Sequence, residues 1–414
     1  MSNPPNRKLR VLFLNDTWRN GGPGRTLFYI LKFLDPDLIH RTVVLPRNGL
    51  IGELLGQVAE EVFFEPNLIE NPFEPWSRAI EREDLAAPLM MRGVRAVGNV
   101  LRGAAGTAAL ARRVRQGRFD AVFCNGTTAN FAGGALAAWT GVPTLWHVFY
   151  TQVGKVITGL HRRLSAGKSV RRIVCVSEPT SRLFDHCQDK VRVLHDAIDV
   201  DEFASAAVEP RLRAEFGLSR DTIVFGSQGR ILPRKGYVEM IRAARLALDE
   251  LTTEERGNVR FFVLGETPGD VQPDHLAQCR ALVGELGLGE VFHFIGSRSD
   301  VKPYVADFDV AVVPSIYEDP LPRAVLESMA MGKPVLAFDV GGLGEMIQGG
   351  IHGTLVPGRP PDVNALGREL VRYARQAETR RSQGAAARER VEREFNARGR
   401  SRVWQQELME LAGH

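Results

Sequence analysis

Long apolar runs are missing from this chain of 414 residues. No window approaches the roughly 18 unbroken apolar residues that a membrane-crossing helix needs. Cysteine is scarce. Cys124, Cys175, Cys187 and Cys279 show neither metal-binding nor redox spacing, and the first two fall inside apolar strand-like runs. Buried free thiols in a reducing compartment are therefore expected. Neither sign of charge dominates: 53 Lys and Arg face 49 Asp and Glu, for a net charge of +4. With 44% hydrophobic and 25% charged residues, the composition is that of an ordinary globular protein. Internal repeats and low-complexity tracts are absent, and the opening Met-Ser-Asn-Pro-Pro-Asn-Arg-Lys lacks the apolar core of a secretory signal. A cytoplasmic protein of two α/β domains is expected from this length and composition.

What is present is an alternation of short apolar runs with helical segments. In the first half the runs are 9–14, 41–45, 61–64, 120–124, 143–146, 172–176 and 190–194. In the second half they are 222–226, 260–264, 291–295, 309–315 and 334–339. That order predicts parallel sheets with helices on both faces. The seam between the halves is expected near Asp196 to Pro210, where the strand pattern breaks.

Two motifs in the second half carry the chemistry. The first is Gln228-Gly229-Arg230-Ile-Leu-Pro-Arg-Lys235-Gly236, a turn between the strand ending at Gly226 and a helix from Tyr237 with Val238, Ile241, Ala244 and Leu248 on one stripe. Such turns lie at the carboxyl ends of strands, where open α/β sheets bind nucleotides. Unpaired helix N–H groups favour an anion there, and Arg230 and Lys235 add charge suited to a diphosphate; two merely solvated loop cations are the alternative. The second is Asp319-Pro-Leu321-Pro322-Arg-Ala-Val-Leu-Glu327, in a loop and helix with Pro322 expected at the first helical position. Glu327 is the only charge in Ala324 to Met331. An ion pair with Arg323 is one account of it, but an acid C-terminal to its base is the weaker order on a helix. A carboxylate facing a ribose diol fits better.

These residues resemble the retaining family-4 glycosyltransferases of the GT-B fold. The resemblance rests on two acids eight residues apart, Asp319 and Glu327, on Met329-Ala-Met-Gly332-Lys-Pro334-Val335, and on Gly341-Gly342-Leu-Gly-Glu345. It implies two Rossmann-like domains with a deep interdomain cleft. Residues 1–198 would bind the acceptor and 199–385 the nucleotide-sugar donor, while a helix in 386–414 would cross back to the first domain. It further implies that Glu327 is the ribose ligand, that Arg230 and Lys235 clamp the diphosphate, and that Asp319 contacts the donor sugar. Gly229, Leu321 and Pro322 would line the donor site. The family usually has Glu where Asp319 stands; with the shorter arm, the sugar contact falls either to Asp319 or to the adjacent Glu318. No metal or other cofactor is implied, the nucleotide-diphosphate sugar being a co-substrate.

In the first half, the opening turn Asn15 to Arg25 is not a full dinucleotide fingerprint, because Leu27 stands in its third position. By resemblance Gly21 and Gly22 would face the donor phosphates; a plain turn is the alternative. Family members more often have Glu where Gly24 stands, and Asn-Gly where Asp196-Ala197 stands. His147 ends an aromatic-rich strand. The resemblance puts it near the reacting sugar as a catalytic residue, and a hydrogen-bonded core histidine is the alternative. Ser177 is expected to cap the next helix.

From Arg92 to Arg118 there are seven arginines and no acid, and a second acid-free basic stretch runs from Lys155 to Arg172. A basic helix face is ordinarily solvated. The interspersed Val94, Val97, Val100, Leu101 and Leu110 suit an interfacial helix on an anionic membrane surface, or beside a lipid-linked acceptor. Nucleic acid is not an expected partner, since aromatics do not interleave with these bases. The expected activity is retaining sugar transfer to a glycan, lipid-linked or small-molecule acceptor, in polysaccharide or glycoconjugate synthesis. A sugar-nucleotide epimerase of the same fold and a non-catalytic nucleotide-sugar-binding protein are the rivals.

Overall fold

A parallel strand buried on both faces must be apolar at successive positions, not alternate ones. β1 (Leu9–Asn15) meets that demand, with all but one of its residues buried. The computed structural model describes residues 7–18, 21–68, 89–268 and 274–413. Arg19 and Asn20 of the opening turn lie outside them, as do the side chains of Arg92, Val94 and Arg95. The chain divides into two units, Met1–Ala197 with Ala397–His414, and Ile198–Asn396.

In the first unit β1 is joined by β2 (Ile39–Leu45), β3 (Glu61–Phe64), β4 (Ala121–Asn125), β5 (Thr144–Val148), β6 (Val170–Cys175) and β7 (Val191–Val193). They lie in the order β3-β2-β1-β4-β5-β6-β7, every pair parallel. The second unit contains β8 (Ile223–Gln228), β9 (Val259–Leu264), β10 (Phe292–Gly296), β11 (Val310–Val313), β12 (Val335–Asp339) and β13 (Gly353–Pro357). Their order is β10-β9-β8-β11-β12-β13, again all parallel. Strand order reverses between β1 and β4 in one unit and between β8 and β11 in the other. At such switch points adjacent loops leave the sheet in opposite directions and open a crevice at the strand ends.

Three details depart from expectation. β13 was not anticipated: its sequence, Gly-Thr-Leu-Val-Pro, has no apolar run, and it occupies a sheet edge. In the helix Tyr237–Glu250 the buried stripe is Tyr237, Met240, Ile241, Ala244 and Leu248, with Val238 only half-buried. The C-terminal return begins at Ala397 and not at Ala386. The helix Ala377–Glu394 stays with the second unit, where the Arg388 guanidinium donates to the carbonyls of Val200 (3.0 Å) and Phe203 (3.2 Å). The returning helix, Ala397–Ala412, buries Trp404 against Phe123 and His147, with ring centroids 5.4 and 4.8 Å apart. Arg172 of β6 fastens it through Glu407 at 2.6 Å and Glu410 at 3.1 Å. Part of the second basic stretch is therefore spent on internal pairing. All four cysteines are buried free thiols.

Candidate active site

The two motifs meet at the switch point of the second unit. β8 ends at Gln228, and the chain passes through Gly229 and Arg230 into the tight turn Pro233–Lys235. Gly236 then takes a left-handed conformation, φ 71°, and opens the helix Tyr237–Glu250. A Cβ on Gly236 would lie 1.8 Å from the carbonyl oxygen of Pro314, just beyond β11. Only glycine permits this approach. The Ile316 N–H completes it by donating to the Arg234 carbonyl at 3.0 Å.

That approach delivers Lys235 to Asp319. The ammonium lies 2.5 Å from Asp319 Oδ2, and the Ser315 hydroxyl donates to the same oxygen at 3.3 Å. Burial pulls the Lys235 pKa down, but the Asp319 carboxylate outweighs it, helped by the Tyr317 phenol, and the pKa ends above its usual value. Lys235 and Arg234 both lie over the Tyr317 ring, 5.3 and 5.1 Å from its centroid. Burial pushes the Tyr317 phenol up, and the charge of Asp319 adds to that. The backbone of Asp319 is held from the other side. Gly341, φ 58°, has room for no Cβ beside the Asp319 carbonyl, and the Gly342 N–H donates to that carbonyl at 2.9 Å. Asp319 is only 5% exposed, so its carboxylate depends on these partners.

Glu327 lies in the helix Arg323–Ala330, and Pro322 is the residue before that helix, not its first. The Gln228 amide Nε2 donates to Glu327 Oε2 at 2.7 Å, and Arg323 Nη2 lies 3.2 Å from Oε1. The i,i+4 pair that the sequence argued against therefore forms. Its order is weak on an isolated, solvated helix, but these side chains are only 10% and 13% exposed. Reduced solvent access strengthens the attraction. Glu318 pairs with Arg359 instead of joining Asp319. Arg230 is exposed and makes no ion pair among the described residues. Leu321 is buried below the loop. Gln228, Ser315 and Tyr317 escaped the sequence analysis; the only signal for Gln228 was its place immediately before the glycine turn.

In the first unit, Gly21 is extended and caps the helix Gly22–Phe33. A Cβ on Gly24 would lie 2.9 Å from the Ile51 side chain, so the family's Glu there would require Ile51 to shift. A buried polar chain anchors this turn. Asn125 Nδ2 donates to Asn15 Oδ1 (2.6 Å) and to the Pro23 carbonyl (2.9 Å), while Asn125 Oδ1 faces His147 Nδ1 at 3.1 Å. His147 Nε2 lies 3.5 Å from Asp196 Oδ1, and Asp196 Oδ2 accepts the Thr26 hydroxyl at 2.9 Å. His147 is 0% exposed, and both its nitrogens face protein oxygens. Nδ1 is thus hydrogen-bonded inside the protein, while Nε2 makes no hydrogen bond among the described residues. Asp16 was also missed; its carboxylate accepts the Thr128 N–H at 2.8 Å, filling the start of the helix Thr127–Thr140. For Ser177, the Thr180 hydroxyl accepts the Ser177 N–H at 3.2 Å, as in one half of a capping box.

The basic helix Leu89–Gly117 divides its side chains between two surroundings. Leu110 is buried, the Arg113 guanidinium lies 3.7 Å from the Phe63 ring centroid, and Arg115 donates to the Trp139 carbonyl at 2.7 Å. Val97 and Leu101 are 61% and 65% exposed, and Val100, Ala104 and Ala105 continue their stripe. Among the described residues no helix is long and apolar enough to cross a membrane, and no group of three His, Cys, Asp or Glu is placed to hold a metal ion.

Residues 208–390 match the model of the glycosyl transferases group 1, and residues 75–202 match that of glycosyltransferase family 4. The structure is similar to that of Anabaena HepE in complex with UDP and glucose, with TM-score 0.76 at 19% identity, covering 97% of this chain and 100% of that one. It is also similar to sucrose-phosphate synthase from Thermosynechococcus elongatus, with TM-score 0.74 at 17% identity, covering 98% and 99%. These likenesses carry the GT-B fold. In sequence, the chain is 28% identical over 272 residues to an uncharacterized glycosyltransferase of Methanocaldococcus jannaschii, covering 61% of this chain and 66% of that protein. It is 32% identical over 225 residues to a D-inositol 3-phosphate glycosyltransferase of Streptomyces scabiei, covering 52% and 49%. The chain thus spans between about half and two thirds of the length of these curated relatives.

Proposed function

Because the chain belongs to the group 1 glycosyl transferases of the GT-B fold, we propose that it transfers a sugar from a nucleotide-diphosphate donor to an acceptor hydroxyl with retention of configuration. The acceptor is a glycan, a lipid-linked sugar or a small molecule, as in polysaccharide or glycoconjugate synthesis. One observation carries the reading: a lysine, two acids and a glycine turn from separate motifs gather at the β8–β11 switch point. The complex of HepE with UDP and glucose supports a nucleotide-sugar donor.

In this reading Glu327 takes the ribose diol, and Arg230 and Lys235 take the diphosphate. The bond from the anomeric carbon to the diphosphate oxygen breaks, and its electron pair leaves with the phosphate. Arg230, Lys235 and the N–H groups at the helix start stabilise the charge that develops there. The acceptor hydroxyl attacks from the same face and gives its proton to the departing phosphate oxygen, so no protein nucleophile is needed. Asp319, released from Lys235 by the diphosphate, contacts the donor sugar. His147 acts indirectly, by holding Asn125 and through it the Gly21–Gly22 turn.

A screen of UDP-, GDP- and other nucleotide sugars, each with and without acceptors, tests this against its rivals. An epimerase turns over donor without acceptor, and a binding protein releases no nucleotide at all. Glu327→Gln is expected to weaken binding of the free nucleotide about tenfold, because charge-assisted bonds to the diol are lost. Asp319→Asn is expected to leave nucleotide binding intact or tighter, since Lys235 loses its internal counter-charge, while sugar transfer falls. Calorimetry showing unchanged nucleotide affinity in Glu327→Gln would remove the ribose assignment.

The exposed Val97–Leu101 stripe, with Arg102 and Arg112 on the same helix, also supports contact with an anionic membrane surface. Each arginine near such a surface contributes about 1 kcal/mol, screened by salt. Replacing Val97 and Leu101 with Ser and both arginines with Glu is expected to abolish sedimentation with anionic vesicles and spare donor hydrolysis. Arg113 and Arg115 are left alone because they have internal partners. Equal sedimentation of both proteins with anionic and neutral vesicles would instead mark a solvated helix.

A further inference from the structure

The Glu327 carboxylate is gripped from outside its own helix by Gln228, a side chain to which the proposed mechanism gives no part. Gln228 is the last residue of β8, at the lip of the switch point and one residue before the glycine turn. Its Nε2 donates to Glu327 Oε2 at 2.7 Å, a contact spanning 99 residues of sequence. Its Oε1 is buried without a hydrogen-bond partner among the described residues. An amide rotated end for end would point its oxygen at a carboxylate, so the hydrogen bond fixes the orientation of Gln228 as well as that of Glu327.

From this geometry we infer that Gln228 is a positioning residue which sets the discrimination between ribose and 2′-deoxyribose in the donor nucleotide. The inference rests on the ribose role proposed for Glu327. A carboxylate that accepts from both hydroxyls of a diol must present both oxygens in one plane. Rotation about its last side-chain bond is soft, and the pair with Arg323 is made to Oε1. Gln228 holds the other, from the strand and not from the helix, so the carboxylate is braced between two elements. An apolar residue of the same length would fill the space but could not donate to the carboxylate.

The test uses Gln228→Met, which conserves length and volume but cannot donate, beside Glu327→Gln and the double variant. Binding is measured by calorimetry with UDP and 2′-deoxy-UDP, and with GDP and 2′-deoxy-GDP, following whichever pair the wild type binds. The wild type is expected to prefer the ribonucleotide by about tenfold, the scale of a hydrogen bond to a charged group. Gln228→Met is expected to reduce that preference to about threefold or less, mainly by weakening the ribonucleotide. The double variant should discriminate no worse than Glu327→Gln alone, since residues acting through one contact are not additive. If Glu327→Gln loses the preference and Gln228→Met keeps it, the positioning role is overturned and the ribose reading stands. If neither variant changes the preference, the ribose reading itself falls.

Discussion

Alanine at Lys235 is expected to slow sugar transfer by at least about a hundredfold, the scale on which a preorganised charge stabiliser contributes. This substitution does two things that must be separated. It removes a cation from the leaving diphosphate, and it strips Asp319 of its counter-charge. Asp319 is nearly buried and would be left with the Ser315 hydroxyl on Oδ2, so stability should also fall, by about 1–3 kcal/mol. Arg230→Ala isolates the first effect. Arg230 is exposed and makes no ion pair among the described residues, so its loss should reduce turnover on a similar scale and leave the unfolding midpoint unchanged. Initial rates of nucleotide release, read beside thermal melts, check both variants. Near-normal rates in both would remove the diphosphate clamp from the mechanism.

The largest effect on stability is expected at Gly236. An alanine there must take φ 71° and place its Cβ 1.8 Å from the Pro314 carbonyl oxygen. Left-handed strain and forced displacement of backbone each cost about 1–3 kcal/mol. The displacement would also part the Pro233–Lys235 turn from the segment after β11, and with it Lys235 from Asp319. Gly287 provides the control, because it shares the conformation, φ 65°, but has nothing within 4 Å of an added Cβ. Denaturant midpoints should therefore fall far more for Gly236→Ala than for Gly287→Ala. Equal shifts would mean that the contact with Pro314 relaxes without cost.

How much of this was legible depended on how local its cause is. β1, β4 and β9 announced themselves because a strand buried on both faces writes an unbroken apolar run. β13, an edge strand with glycine at one end and proline at the other, writes none. Glu327 stood out as a lone charge on an apolar helix, yet its grip by Gln228 crosses 99 residues and leaves no local trace. The i,i+4 pair with Arg323 was visible but undervalued, since its strength comes from burial and spacing alone does not report burial. His147 was conspicuous among aromatics, but Asp196 and Trp404, which enclose it, lie far along the chain. Gly236 read as a turn glycine; that Pro314 leaves it no alternative follows only from how two strand ends abut.

The return of the helix Ala397–Ala412 to the first unit sets an order of assembly. The second unit is a single continuous stretch, Ile198–Asn396, and all its strands are on hand once that stretch is synthesised. The first unit has every strand by Val193 but lacks Trp404, which covers Phe123 and His147, until some two hundred residues later. Domains usually mature in the order they are made; here the half begun first is the half finished last. Its seven-stranded sheet must wait with one face incompletely clothed while the other half forms.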